Sequence, residues 1–139
     1  MFKGVIMPIL SRKESITSLR KQLVDTLLDL EKKDPEITGS VIVRTDGLVI
    51  ASAIRENIDK DLVAAMSASI LQVGKRVLEE LKRGELENVI IRGKDGIMMV
   101  ISINPEVYLV SMASKNANLG LMLIEMRRAA EKIDKTLST

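Results

Sequence analysis

Cysteine and histidine are both absent from the 139 residues, and each absence closes a group of functions. Without thiols there is no disulfide framework and no thiolate nucleophile, and without either residue no Cys/His zinc site can be built. The Ser-His and Cys-His nucleophile pairs and the usual neutral-pH proton shuttle go with them. A carboxylate metal site, or an acid-base pair of lysine and carboxylate, is left open by composition, yet no acidic residues fall into a compact D-x-D-x-D-G signature. No catalytic, cofactor-binding or metal-binding residue is therefore expected. A chain without disulfides suits a reducing compartment, and a cytoplasmic location is expected. Tryptophan is missing too, and the aromatic residues are Phe2 and Tyr108 alone, too few to stack successive bases. The 21 basic and 19 acidic residues are interspersed, as in KDPE, RENIDKD and EELKRGELE, for a net charge of +2. No basic face is left to track a phosphate backbone, so a nucleic-acid partner is not expected.

Long apolar runs are also scarce. The N-terminal MFKGVIMPIL is broken by Pro8 and falls well short of the roughly 20 residues needed to cross a bilayer, so no membrane span is expected. No small-residue cleavage site follows it, and Phe2 excludes N-myristoylation. It reads as an apolar arm over 1–10, either a strand lying on the domain's own surface or a segment ordered by a partner. Residues 11–139 then form a single domain with one core.

The centre of that domain is the stretch from Asp59 to Gly84. Asp59 suits the N-cap of a long helix and Gly84 its stop. At 100° per residue, Leu62, Met66, Ile70, Val73, Val77 and Leu81 fall on one stripe, which reads as the core face. Beside it lie Val63, Ser67, Leu71, Gly74 and Leu78, a second apolar surface built partly from small residues. One sheet face covers only about a third of a helix, so this second surface is expected either at a subunit interface or deep within the domain.

Ser11 and Glu14 have the spacing of a capping box, and Ile16, Leu19, Leu23, Leu27 and Leu30 recur every three or four residues, so a first helix is expected over Arg12 to Lys33, closed by Pro35. GSVIVR and LVIASA then form a hairpin turned by Asp46 and Gly47. After the central helix, LENVIIR, IMMVISI and EVYLVSM form a meander turned by Gly93, Gly96 and Pro105. Consecutive apolar residues in these strands imply cover on both faces of the sheet. Ile97 to Ile103 is expected inside the sheet. Leu86 to Arg92 is punctuated by Glu87, Asn88 and Arg92, as expected of an edge. A last helix runs from about Ala117 to Leu137.

Two passages then carry a resemblance. In ITGSVIVRTDGLVIAS, Gly39, Ile42, Asp46, Gly47, Ile50 and Ala51 match one hairpin motif; in ANLGLMLIEMRRAAEKI, Asn118, Leu119, Gly120, Glu125, Met126, Arg127, Ala129 and Ala130 match a helix-opening motif. On these the chain resembles the roadblock family of dynein-light-chain-like domains, and within it the prokaryotic MglB-like members. The resemblance implies a three-layer α/β/α fold of the α+β class, with a five-stranded antiparallel sheet, the central helix on one face and the first and last helices on the other. It also implies a homodimer in which central helices pack together and edge strands pair. Val63, Ser67, Leu71, Gly74 and Leu78, with Leu86, Val89, Ile90 and Ile91, are the residues expected at that interface. Family members are non-catalytic platforms or regulators for Ras-like small GTPases, or adaptor subunits of larger assemblies. No G-x-x-x-x-G-K-[ST] loop is present, so a nucleotide site of this chain's own is not expected. Arg44, Arg55 and Arg76 are the arginines that a finger mechanism would draw on, although solvation is the ordinary fate of such residues.

Overall fold

The computed structural model describes residues 2–138, with side chains from Ser15 to Ser138. Its elements run α1 (Phe2–Lys33), β1 (Ile37–Arg44), β2 (Val49–Ile54), α2 (Lys60–Glu80), β3 (Asn88–Arg92), β4 (Gly96–Asn104), β5 (Val107–Ser114) and α3 (Leu119–Ser138). The five strands form one antiparallel sheet in the order β2-β1-β5-β4-β3. β4 lies inside the sheet and β3 at its edge, as their composition implied.

Strand side chains alternate between two cores. Val41, Val43, Val100, Tyr108 and Val110 point to the face covered by α2. Ile37, Ile42, Met99, Ile101 and Leu109 point to the other, where Leu23, Leu27 and Leu30 of α1 and Met122, Met126 and Ile133 of α3 cover them. This two-sided cover is why the strands read as unbroken apolar runs.

The turns follow local chemistry. Asp46 Oδ1 accepts the Leu48 N–H at 3.2 Å, while Gly47 takes a φ of +89° that a side chain would disfavour. The Gly93 N–H donates to the Gly96 carbonyl at 2.9 Å and closes β3 onto β4. Around Pro105, Asn104 Oδ1 accepts the Glu106 N–H at 2.9 Å. Asn118 caps α3, its Oδ1 accepting the Leu121 N–H at 3.1 Å.

Three boundaries differ from expectation. α1 begins at Phe2 instead of Arg12, so residues 2–10 extend the helix and form neither a strand nor a separate arm. The Ser11 and Glu14 side chains of the expected capping box lie outside the described residues. α2 ends at Glu80 with Leu81 as its C-cap, short of Gly84, because Lys82 already turns the chain at a φ of 54°. Leu86 precedes β3 in an irregular connection.

Candidate interaction surface

α2 starts where Asp59 Oδ1 accepts the Asp61 N–H at 2.9 Å. Val63, Ala64, Ser67, Ala68 and Leu71 are its buried residues. They meet the valine face of the sheet and the Tyr108 ring. The stripe expected to form the core is instead mostly outside: Leu62, Met66 and Val73 are 55%, 51% and 64% exposed, Val77 and Leu81 are exposed as well, and Ile70 alone of the six is half-buried. The two faces of α2 are thus exchanged relative to expectation, and Val63, Ser67 and Leu71 are unavailable to a partner because the chain's own sheet occupies them. The physical reason lies in side-chain size. Alanine and serine let the helix backbone approach the sheet closely, and the larger aliphatics are left facing out.

Gly74 and Leu78 lie between these two faces and are half-buried. A Cβ on Gly74 would sit 3.5 Å from Leu86 Cδ1 and 3.7 Å from Val89 Cγ2, so this flank of α2 abuts the entry to β3. On β3, Val89 pairs with Val100 and Ile91 with Met98, which turns both toward the α2 layer. Asn88, Ile90 and Arg92 pair with Ile101, Met99 and Ile97 and therefore face the α3 layer. Of the residues expected at an interface, Gly74, Leu86, Val89 and Ile91 come together beside the exposed stripe; Ile90 is exposed on the opposite face. The result is one apolar surface made of the outer stripe of α2 and the free edge of the sheet.

The three arginines singled out by sequence are held differently. The Arg44 guanidinium pairs with Asp46, and this hydrogen bond, with the Leu48 N–H, holds the Asp46 carboxyl below its ordinary value. Arg55 folds back to donate to the carbonyls of Pro35 and Ile37 and approaches Glu31 at 3.7 Å. Arg76 is exposed. Composition gave no sign of three buried carboxylates, Glu31, Asp34 and Glu125, each with an oxygen lacking a partner among the described residues. Burial pushes the Glu31 and Asp34 carboxyls up, opposed in Glu31 by the charge of Arg55. No three acidic side chains among the described residues converge to hold a metal ion. Nor is any described helix long and apolar enough to cross a membrane.

Comparison with known proteins bears directly on this architecture. The family model of the Roadblock/LC7 domain matches residues 23–113. The chain belongs to the Roadblock/LC7 family. A relative, an uncharacterized protein of Methanocaldococcus jannaschii, is 40% identical over 107 residues, covering 77% of this chain and 92% of the relative. Among solved structures, MglB of Myxococcus xanthus superposes with a TM-score of 0.79 at 19% identity, over 85% of this chain and 89% of that one. An MglB described as having a tetrameric arrangement superposes with a TM-score of 0.81 at 17% identity, over 86% of this chain and 90% of the other. At these identities the structural matches establish the Roadblock/LC7 fold, three helices about a five-stranded antiparallel sheet, as the two sequence motifs implied.

Proposed function

We propose that the chain is a non-catalytic, cytoplasmic regulator that works as a homodimer and offers its paired α2 helices as a platform to a Ras-like small GTPase. The observation that carries this reading is the exposed aliphatic stripe of α2 continuous with the unpaired β3 edge. A surface of that kind is unfavourable in a lone protomer, since fully burying each large aliphatic side chain is worth about 1.5–3 kcal/mol. Two copies related by a two-fold axis would pair their β3 edges and bring the two stripes together. The likeness to MglB folds and the tetrameric arrangement named for one of them favour an assembling protein of this type. The test is binding of the purified dimer to Ras-like GTPases of the source cell, loaded with GTP or with GDP. Preference for one nucleotide state supports the platform, and binding indifferent to nucleotide counts against a regulator.

A second reading is an adaptor subunit without nucleotide dependence. It is favoured by Leu121 and Ile124, apolar and exposed on the outer side of α3, far from the α2 layer. Capture of a non-GTPase subunit, with GTPases of both loadings left unbound, is the outcome it requires.

A further inference from the structure

α2 packs tightly on the sheet only through its first half; no residue of the helix beyond Leu71 is buried. Its second half therefore stands off, and a cleft of about 480 Å³ opens between it, the 81–87 connection and the β4–β5 turn. That volume falls within the roughly 300–1,000 Å³ of small-ligand sites. Leu78, Leu86, Pro105 and Tyr108 give it an apolar lining. Lys75 projects into it half-buried, its Nζ 5.0 Å from the centre of the Tyr108 ring. No carboxylate lies within ion-pair distance of that ammonium among the described residues, and it makes no hydrogen bond there. A half-buried ammonium set against an aromatic ring, with no carboxylate in contact, can take up a further counter-charge.

Lys82 reinforces this picture. It lines the same cleft just past the end of α2 and is, among the described residues, the non-glycine residue held at positive φ. That φ belongs to the end of α2, where the Arg83 N–H donates to the Leu78 carbonyl at 2.9 Å and the Lys82 N–H to the Glu79 carbonyl at 3.2 Å. Glu79, Glu85 and Lys82 all border the cleft as exposed residues, whereas Lys75 is half-buried.

We propose that this cleft binds a small organic anion, a carboxylate or phosphate ester on a compact apolar body. Lys75 and Lys82 receive the charged group, and Leu78, Leu86, Pro105 and the Tyr108 ring hold the body. In helical projection Lys75 lies about 200° from Val73, on the flank of α2 away from the exposed stripe. Lys75 and the Tyr108 ring lie off the stripe proposed for pairing, whereas Leu86 borders both surfaces; anion binding is read from Tyr108 and needs no GTPase.

Tyr108 is the only tyrosine in a chain without tryptophan, so tyrosine emission reports on this cleft alone. The full chain is titrated with hexanoate, with butyl phosphate and with butylamine at matched ionic strength. The anions are expected to change the emission saturably and the amine to leave it unchanged. Affinity for the anions should fall by about tenfold in Lys75→Gln and return in Lys75→Arg. An equal response to the amine, a purely linear response to the anions, or anion affinity unaltered in Lys75→Gln would overturn the assignment. Should Lys75→Gln fail to fold by circular dichroism, the preference for anion over amine in the natural chain and its weakening in Lys82→Gln decide the matter.

Discussion

Asp34 sits at the junction of α1 and β1, 1% exposed, where its Oδ1 accepts the Glu36 N–H at 3.3 Å and its Oδ2 has no partner among the described residues. Burial raises its carboxyl above the ordinary 3.8; the Glu36 N–H opposes that shift, and the charges of Glu36 and Glu125 add to it. A raised native pKa means that the folded state holds the proton more tightly than the unfolded chain does. The ionised group therefore costs stability above its native pKa, and the cost disappears below about 3.8, where both states are protonated. Asp34→Asn keeps the acceptor and removes the charge. It is expected to melt higher than the natural chain at pH 7, with the two melting curves converging below about pH 3.8; a lower melting point at neutral pH would show the carboxylate to be well compensated. Ser67 presents the neutral version of the same problem, a fully buried hydroxyl with no partner among the described residues. Ser67→Ala is expected to gain about 1 kcal/mol, from the removed unsatisfied group and the better helix propensity of alanine. A loss of that size in urea unfolding would mean that the hydroxyl has found an acceptor.

At the scale of the element, α2 is defined by which way it faces. Leu71 is 2% exposed against the sheet, so Leu71→Ala should cost about 2–5 kcal/mol and lower the melting point even in the Val73→Glu background, where no dimer contributes. Val73→Glu places a carboxylate in solvent on the protomer and should leave the fold intact while dissociating the dimer. If instead Val73→Glu unfolds the chain and Leu71→Ala is neutral, the orientation of α2 is wrong. That orientation was poorly legible in the sequence. Periodicity reports the width of an apolar arc, and α2 carries apolar residues over most of its circumference, so by periodicity alone the larger aliphatics read as the core face. The informative signal was the run of small residues, Ala64, Ser67 and Ala68, which lets a helix settle on a valine-rich sheet face. The strands were easier to read, because Asp46-Gly47, Gly93 to Gly96 and Asn104-Pro105 each set a turn by local hydrogen bonding that needs no tertiary partner. The start of α1 was lost for the opposite reason: Ser11 and Glu14 offered a local start signal, and the backbone runs helically through it.

For the whole molecule the question is which of two sheet edges a second copy would use. Both β2 and β3 are edge strands, and neither has a charged residue between its ends. α1 packs across β2, and the Arg55 side chain folds back over the end of that strand onto Pro35 and Ile37. β3 has no such guard: Ile90 and Ile91 are exposed, and the α2 flank beside it, at Gly74, leads to the open stripe of α2. Edge strands left in this condition invite pairing. Antiparallel pairing of two β3 strands would continue the sheet through both copies and bury the stripes in the same step, so the two parts of the surface should be gained and lost together. Light scattering of the natural chain should give twice the 15.4 kDa chain mass, and Val73→Glu should return the single mass. Amide hydrogen exchange then separates strand pairing from helix packing. Relative to the Val73→Glu monomer, the natural chain should slow exchange within Asn88–Arg92 while leaving Val49–Ile54 unchanged. Protection appearing at β2 would place the partner on the other edge. Equal exchange at β3 in a particle of doubled mass would mean that the helices meet without joining the sheets.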